Sequence, residues 1–163
     1  MIRAELDFFR KEYAKQKKLE EIVRSRVPVR PNIKKWQVAI SFAALPFLLF
    51  AVTYLTLIIP IDDIVKILLT IVVDIVTLDV YLRFCLINTV KCYQHYAKEE
   101  TRRRCKCIPS CSEYALLSLK SVFPLLLALL KIRKRLFVTC NGEEYKIDFP
   151  TRKMGEEFEN KLQ

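Results

Sequence analysis

"WQVAISFAALPFLLFAVTYLTLII" runs from Trp36 to Ile59, 24 positions without one charged side chain. About 20 apolar residues in a helix cover a hydrocarbon core of about 30 Å, so this stretch reads as a transmembrane span. "PIDD" (Pro60 to Asp63) follows as a short polar turn, and Ile64 to Val90 is apolar again with Lys66, Asp74, Asp79 and Arg83 inside it. A second, returning span over 64–88 is the expectation, which makes 36–90 a two-helix hairpin.

Basic charge is concentrated on either side of this hairpin. Met1 to Lys35 holds 11 Lys/Arg against 5 Asp/Glu, Trp36 to Val90 holds 2 against 4, and Lys91 to Gln163 holds 15 against 9. The chain is 52% apolar yet carries a formal charge of +10, a combination that suits a soluble domain poorly. Only two glycines occur among 163 residues, which disfavours a turn-rich β fold and leaves helix as the simpler reading. Arg30, Lys34 and Lys35 precede the first span and Lys91 follows the second, while the connecting turn is acidic. By the positive-inside rule both termini face the cytoplasm. Some 35 charged and aromatic residues precede the apolar run, unlike the layout of a cleaved signal peptide.

The ionisable groups inside the second span need partners, because charge at membrane depth is costly. Lys66, Thr70, Asp74, Thr77 and Tyr81 fall within about 80° of one another on a helix, forming one polar stripe. Asp79 stands four residues before Arg83, the favourable order for a helical ion pair. The stripe either holds the hairpin together or meets another membrane protein.

Residues 1–27 read as an amphipathic basic helix, with Ile2, Leu6, Phe9 and Tyr13 at spacings of three and four among Lys and Arg. It suits an anionic lipid leaflet or packing on the C-terminal domain. "VPVRPN" (Val27 to Asn32) carries two prolines and breaks the helix, so 28–35 is a linker. Beyond the hairpin, Ser110 with Glu113 three residues later forms a capping-box pattern ahead of "EYALLSLKSV". Pro124 interrupts or restarts the helix, and "PLLLALLKIRKRLFV" joins an apolar run to Lys131, Arg133, Lys134 and Arg135. The six apolar residues between Pro124 and Lys131 are too few to span, so this element lies in the interface or in a small core. Arg102, Arg103, Arg104 and this second basic cluster are assigned to headgroups or a partner, with DNA disfavoured beside two spans.

"CKCIPSCSEYA" resembles the signature of the YidD family, the membrane protein insertion efficiency factors also called the haemolytic domain. The matching residues are Cys105, Pro109, Ser110, Cys111, Ser112, Tyr114 and Ala115. Tyr93 and Gln94 stand twelve and eleven residues before Cys105, the family's own spacing, and Arg135, Cys140 and Asp148 resemble its closing region. The likeness covers about residues 87–150. Cys107 replaces a usual aromatic, Val122, Phe123 and Pro124 stand where the family has glycines, and Asn141 then Gly142 stand where it has a proline.

The resemblance implies an accessory that assists insertion and folding of inner-membrane proteins alongside the Sec translocon and the YidC insertase. It places the chain at the bacterial inner membrane, with lipids and the ribosome or nascent chain as further contacts; typical members are short peripheral proteins, and it is the added hairpin that makes this chain multi-pass. The fold expected is an all-α membrane protein: an amphipathic N-terminal helix, a transmembrane hairpin, a small helical YidD-like cytoplasmic domain over 91–150, and a charged C-terminal tail over 151–163. Three rival functions stay open: a structural subunit of another large membrane complex, a membrane-perturbing, haemolysin-like protein, and a metal-binding or thiol-redox module.

Six cysteines complete the picture: Cys85 in the second span, Cys92 just beyond it, and Cys105, Cys107, Cys111 and Cys140 in the small domain. Buried structural thiols are the leading reading, since cytoplasmic thiols are kept reduced. A zinc site of Cys105, Cys107, Cys111 and Cys140 is a lesser alternative, because C-x-C-x3-C with a distant fourth is not the paired C-x2-C spacing. A Cys105–Cys111 or Cys111–Cys140 disulfide is another, and a reactive thiol beside the arginines is chemically possible. No enzyme motif is present: the one histidine, His95, sits among aromatics, and Glu113, Glu143, Glu144 and Asp148 have no partner in the sequence suggesting acid–base work. No cofactor is expected.

Overall fold

The computed structural model describes residues 2–60, 62–140 and 144–162, with side chains described from Glu5 to Asn160. Ile61 of the polar turn, the Ile2 side chain, and Asn141, Gly142 and Glu143 lie outside the described residues. The chain is mostly helical and divides into two compact units, one of Met1–Val29 with Tyr96–Gln163 and one of Arg30–His95.

In the unit Arg30–His95, α2 (Lys35–Ala43) and α3 (Leu45–Ile58) are separated only by Ala44. Pro46 sits in the first turn of α3, where its missing N–H costs little. Bonds from Ala44 N–H to Ile40 O (2.9 Å) and from Leu48 N–H to Ala44 O (3.0 Å) carry the ladder past it. Among the described residues, Lys35–Ile58 is the one helical stretch long and apolar enough to cross a membrane. The next helix, α4 (Asp63–Tyr96), has 34 residues, about 51 Å at about 1.5 Å per residue, and runs well past the 64–88 expected from hydropathy. Its extension is physically simple, because "NTVKCYQHY" contains no proline or glycine to stop it.

The polar stripe of α4 lies against α2 and α3. Thr70 Oγ1 donates to Thr56 Oγ1 at 3.1 Å, Thr53 Oγ1 donates to the Asp74 carboxylate at 3.1 Å, and Tyr81 Oη donates to Ser41 O at 2.8 Å. Cys85 Sγ points at the same Ser41 carbonyl, 3.4 Å away. Lys66 instead leans toward Asp63 at 3.8 Å, and Thr77 is half-buried. Arg83 and Asp79 pair at 3.3 Å along the helix. Large side chains such as Phe47, Phe50, Ile64 and Ile75 point outward, so this unit keeps its polar groups inside and its apolar ones exposed. That inversion is what a helix pair needs when its solvent is hydrocarbon.

In the other unit, α1 (Ile2–Ser25) buries Leu19 and Val23 against Ile108, with Ile22, Tyr145, Ile147 and Phe158 around them. Its earlier apolar residues Leu6, Phe9 and Tyr13 remain exposed. After α5 (Glu99–Arg103) the chain departs from an all-helical reading. Two-residue strands β1 (Cys107–Ile108) and β2 (Lys146–Ile147) pair in parallel, and Asp148 N–H extends the pairing to Ile108 O at 2.9 Å. Then α6 (Cys111–Ser121) and α7 (Leu125–Lys134) pack together through Tyr114, Ala115, Leu119, Leu125 and Ala128. Pro124 immediately precedes α7, the position from which it can start a helix without breaking one. A π-helical turn, Arg135–Thr139, prolongs α7. Residues read as a charged tail form α8 (Arg152–Leu162). An Arg152–Glu156 pair at 2.8 Å supports this helix, and the Phe158 ring anchors it, 5.3 Å from that of Phe149.

Candidate functional site

The signature residues are held by a capping box that behaves as its sequence suggests. Ser110 Oγ accepts from Glu113 N–H at 3.4 Å, and Glu113 Oε2 accepts from Ser110 N–H at 2.9 Å. Both orphan donors at the α6 start are thereby satisfied, and Cys111 becomes the first helical residue.

Cys105 follows α5, Cys111 opens α6, and Cys140 ends the π-helical turn. Three separate elements thus deliver three sulfurs to one point. Cys105 Sγ lies 3.3 Å from Cys111 Sγ and 3.4 Å from Cys140 Sγ, and Cys111 Sγ is 3.0 Å from Cys140 Sγ. All six cysteines are free thiols. Hydrogen bonds from Cys107 and Cys111 pull the Cys105 thiol far below its ordinary range, and sharing a proton with Cys105, then burial, pushes Cys111 up. Cys107 is fully buried; it neighbours Cys105 but does not join the mutual cluster of the three sulfurs, and its own Sγ is directed at Thr139 O, 4.0 Å away.

Arg135 organises the same region. Its side chain is 1% exposed, so its assignment to headgroups does not hold. Nη1 donates to Asp148 Oδ2 at 2.6 Å, Nη2 donates to Pro109 O at 2.9 Å, and the guanidinium lies over the Tyr114 ring, 4.8 Å from its centroid. Burial, then the Asp148 carboxylate, raises the Tyr114 phenol above its ordinary range. Arg102, only 7% exposed, is likewise withdrawn from the surface. A guanidinium this enclosed serves fixed acceptors inside the fold, where a headgroup could not replace them. Arg103 pairs with Glu99 through its exposed side chain, and Arg104, Arg133 and Lys134 stay exposed. Lys131 Nζ donates to Pro150 O at 2.8 Å.

Arg26 is a participant that the sequence did not announce. It donates from Nη1 to Cys107 O at 3.2 Å and from Nη2 to Cys105 O at 3.3 Å, and stands 4.0 Å from Glu113 Oε2. It ties the end of α1 to the cysteine loop. The only available hint was its place just before the proline-containing linker. Of the remaining signature residues, Tyr93 is exposed and Gln94 buried on α4, while Ser112 and Ala115 sit in the first turns of α6.

Outside this knot the unit presents an apolar face. Phe123, Leu126, Leu130, Phe137 (72% exposed) and Val138 surround the exposed Arg133 and Lys134. A cleft of about 670 Å³ beside Tyr114 and Asp148 mixes Lys15 and Lys134 with Glu12 and Glu159, so its charge selects no single ion sign. The chemistry available is thiol coordination and amphipathic surface contact. No nucleophile–base pair is assembled among the described residues at the signature.

Residues 82–146 match the model of the YidD family, described as "Putative membrane protein insertion efficiency factor". No curated protein and no solved structure matches the chain.

Proposed function

We propose, on the match of residues 82–146 to the YidD family model, that the protein is a non-enzymatic accessory that assists insertion or folding of integral membrane proteins. Its site of work is the cytoplasmic side of the inner membrane, beside the Sec translocon and a YidC-type insertase. The observation that carries this reading is the exposed apolar face of α7 and its π-helical turn, Phe123, Leu126, Leu130, Phe137 and Val138, set among basic side chains. A contiguous apolar patch of this kind on a folded domain marks a membrane or protein contact. Basic groups beside it favour anionic headgroups. Exposed Leu6, Phe9 and Tyr13 give α1 a second such surface.

Lys35–Ile58 crosses the bilayer in this reading, and α4 returns with its polar stripe bonded to α3 and its apolar side chains toward lipid. The basic flanks keep both termini in the cytoplasm. In this reading the cysteine knot and the apolar face work on the cytoplasmic side, where nascent chains enter the membrane.

Gentle detergent extraction of tagged full-length protein, after photocrosslinking from position 137, tests the reading. Recovery of Sec and YidC components, together with slower insertion of a reporter membrane protein on depletion, supports it. Recovery only with an unrelated assembly overturns it, as does unchanged reporter insertion with leakage of liposomes by the purified protein.

A further inference from the structure

Three thiols in mutual contact pose a problem that disulfide chemistry cannot solve evenly, because one bond consumes two sulfurs and leaves the third. Cys105 and Cys111 are six residues apart, but Cys140 is 35 and 29 residues from them, so neither local turn geometry nor helix spacing forces the third sulfur into the cluster. The first ligand's own carbonyl, Cys105 O, and that of Cys107 two residues on are gripped by the Arg26 guanidinium. The second ligand is the first residue of a capped eleven-residue helix, which fixes its position. Arg135, on the other side, is buried next to Pro109 and begins the π-helical turn that ends at the third ligand, Cys140.

We infer that Cys105, Cys111 and Cys140 form a thiolate metal site for one zinc ion, with a fourth position left for water or an exogenous ligand. Soft thiolate donors select zinc or copper(I) over hard cations. Zinc–sulfur bonds of about 2.3 Å in a tetrahedron set sulfurs roughly 3.8 Å apart, so the present 3.0 to 3.4 Å triangle opens by a few tenths of an ångström on binding. A disulfide at about 2.05 Å instead requires two sulfurs to close by about an ångström. Binding replaces the protons shared among the three thiols: Zn2+ joins three sulfurs, the protons leave to solvent, and the site ends with one net negative charge. Arg26 and Arg135 supply positive charge around it. All three ligands are half-buried, which leaves room for the fourth ligand. Cys107 is not a ligand in this assignment.

The test uses the reduced full chain in detergent. Titrated with Zn2+ alone, it retains one zinc per chain by elemental analysis after desalting, and Co2+ in its place gives a thiolate charge-transfer band of tetrahedral type. Cys105→Ser, Cys111→Ser and Cys140→Ser each weaken zinc at least tenfold, whereas Cys107→Ser keeps the stoichiometry. Because these variants can lose their fold, the unmodified protein supplies the second measurement. Zn2+ slows alkylation of Cys105, Cys111 and Cys140 but not of Cys92, and a chelator restores it. Absence of retained zinc in folded, reduced protein overturns the site. So do loss of zinc in Cys107→Ser, preferential retention of Cu+ as a three-coordinate ion with no zinc, and a Cys105–Cys111 or Cys111–Cys140 disulfide in protein alkylated directly in cells.

Discussion

Arg135 and Asp148, 13 residues apart, meet at 2.6 Å with the arginine almost wholly enclosed and the carboxylate about one-third exposed. The same guanidinium reaches Pro109 O at 2.9 Å, so one side chain joins the start of the π-helical turn, the strand end after β2 and the loop that precedes α6. In a unit with few long elements, this hub takes the place of a larger core.

Breaking the hub from either side has unequal consequences. Asp148→Asn costs about 1–3 kcal/mol, since Arg135 keeps its carbonyl acceptor and solvent reaches the exposed flank. Arg135→Met costs more, because it also leaves Pro109 O without its donor and removes the cover of Tyr114. The double variant Arg135→Met with Asp148→Asn is less destabilised than the two single effects added, as expected when both partners of one interaction are removed together. Hydrogen exchange of the α6 amides reads this directly, and unchanged protection in Arg135→Met contradicts the hub.

Tyr114 sits under this arginine with its phenol raised by burial and then by the Asp148 carboxylate. A phenol whose folded pKa lies above the unfolded one stabilises the fold fully below the unfolded value near 10. That contribution is lost as pH climbs through the folded value. Ultraviolet titration of tyrosinate should therefore show one of the seven tyrosines ionising late. Tyr114→Phe removes that late step and flattens the alkaline limb of the stability curve. An undiminished late step in Tyr114→Phe assigns it elsewhere.

Much of this arrangement was legible in the residues alone, and the failures have physical causes. The capping box at Ser110 and Glu113 is local, set by a three-residue spacing, and it forms as read. The apolar run to Ile59 is likewise a matter of consecutive residues and yields one long apolar helical stretch. Basic side chains were harder. Arg133, Lys134 and Arg135 are adjacent in sequence, yet the first two are exposed and the third is buried, because a 100° step around the helix turns Arg135 toward Asp148 and Pro109. Arg26 acts on carbonyls 79 and 81 residues away, a relation that no local pattern encodes. The convergence of Cys105 and Cys111 on Cys140 is of the same long-range kind, and the spacing pattern alone could not separate the trio from Cys107.

The bond from Thr53 to Asp74 predicts coupling between α3 and α4. Thr53→Val removes the donor and costs about 1 kcal/mol, the usual scale for an interhelical hydrogen bond in a membrane protein. Asp74→Asn preserves an acceptor and changes stability by less than that. In an Asp74→Leu background the Thr53→Val effect vanishes, because there is no longer a partner to lose. Unfolding in mixed micelles, followed through Trp36 in α2 of the same unit, measures all four corners of the cycle. Additive effects in the two single variants rule the coupling out.

Phe137 gives the most direct reading of where the exposed face sits. Trp36 is the sole tryptophan, so Trp36→Phe with Phe137→Trp moves the one indole to the π-helical turn. Indole favours the membrane interface, with its apolar body in the acyl region and its N–H among headgroups, so the replacement suits the proposed surroundings. In liposomes containing anionic lipid, quenchers carried near the top of the acyl chains extinguish this fluorescence strongly and aqueous iodide barely does. Adding Arg133→Glu and Lys134→Glu reverses the order, since roughly 1 kcal/mol per basic residue of attraction to the anionic surface becomes repulsion. If iodide instead quenches freely while lipid-borne quenchers do nothing in the parent variant, the face of α7 points to water. The apolar patch then has to be matched to a protein partner.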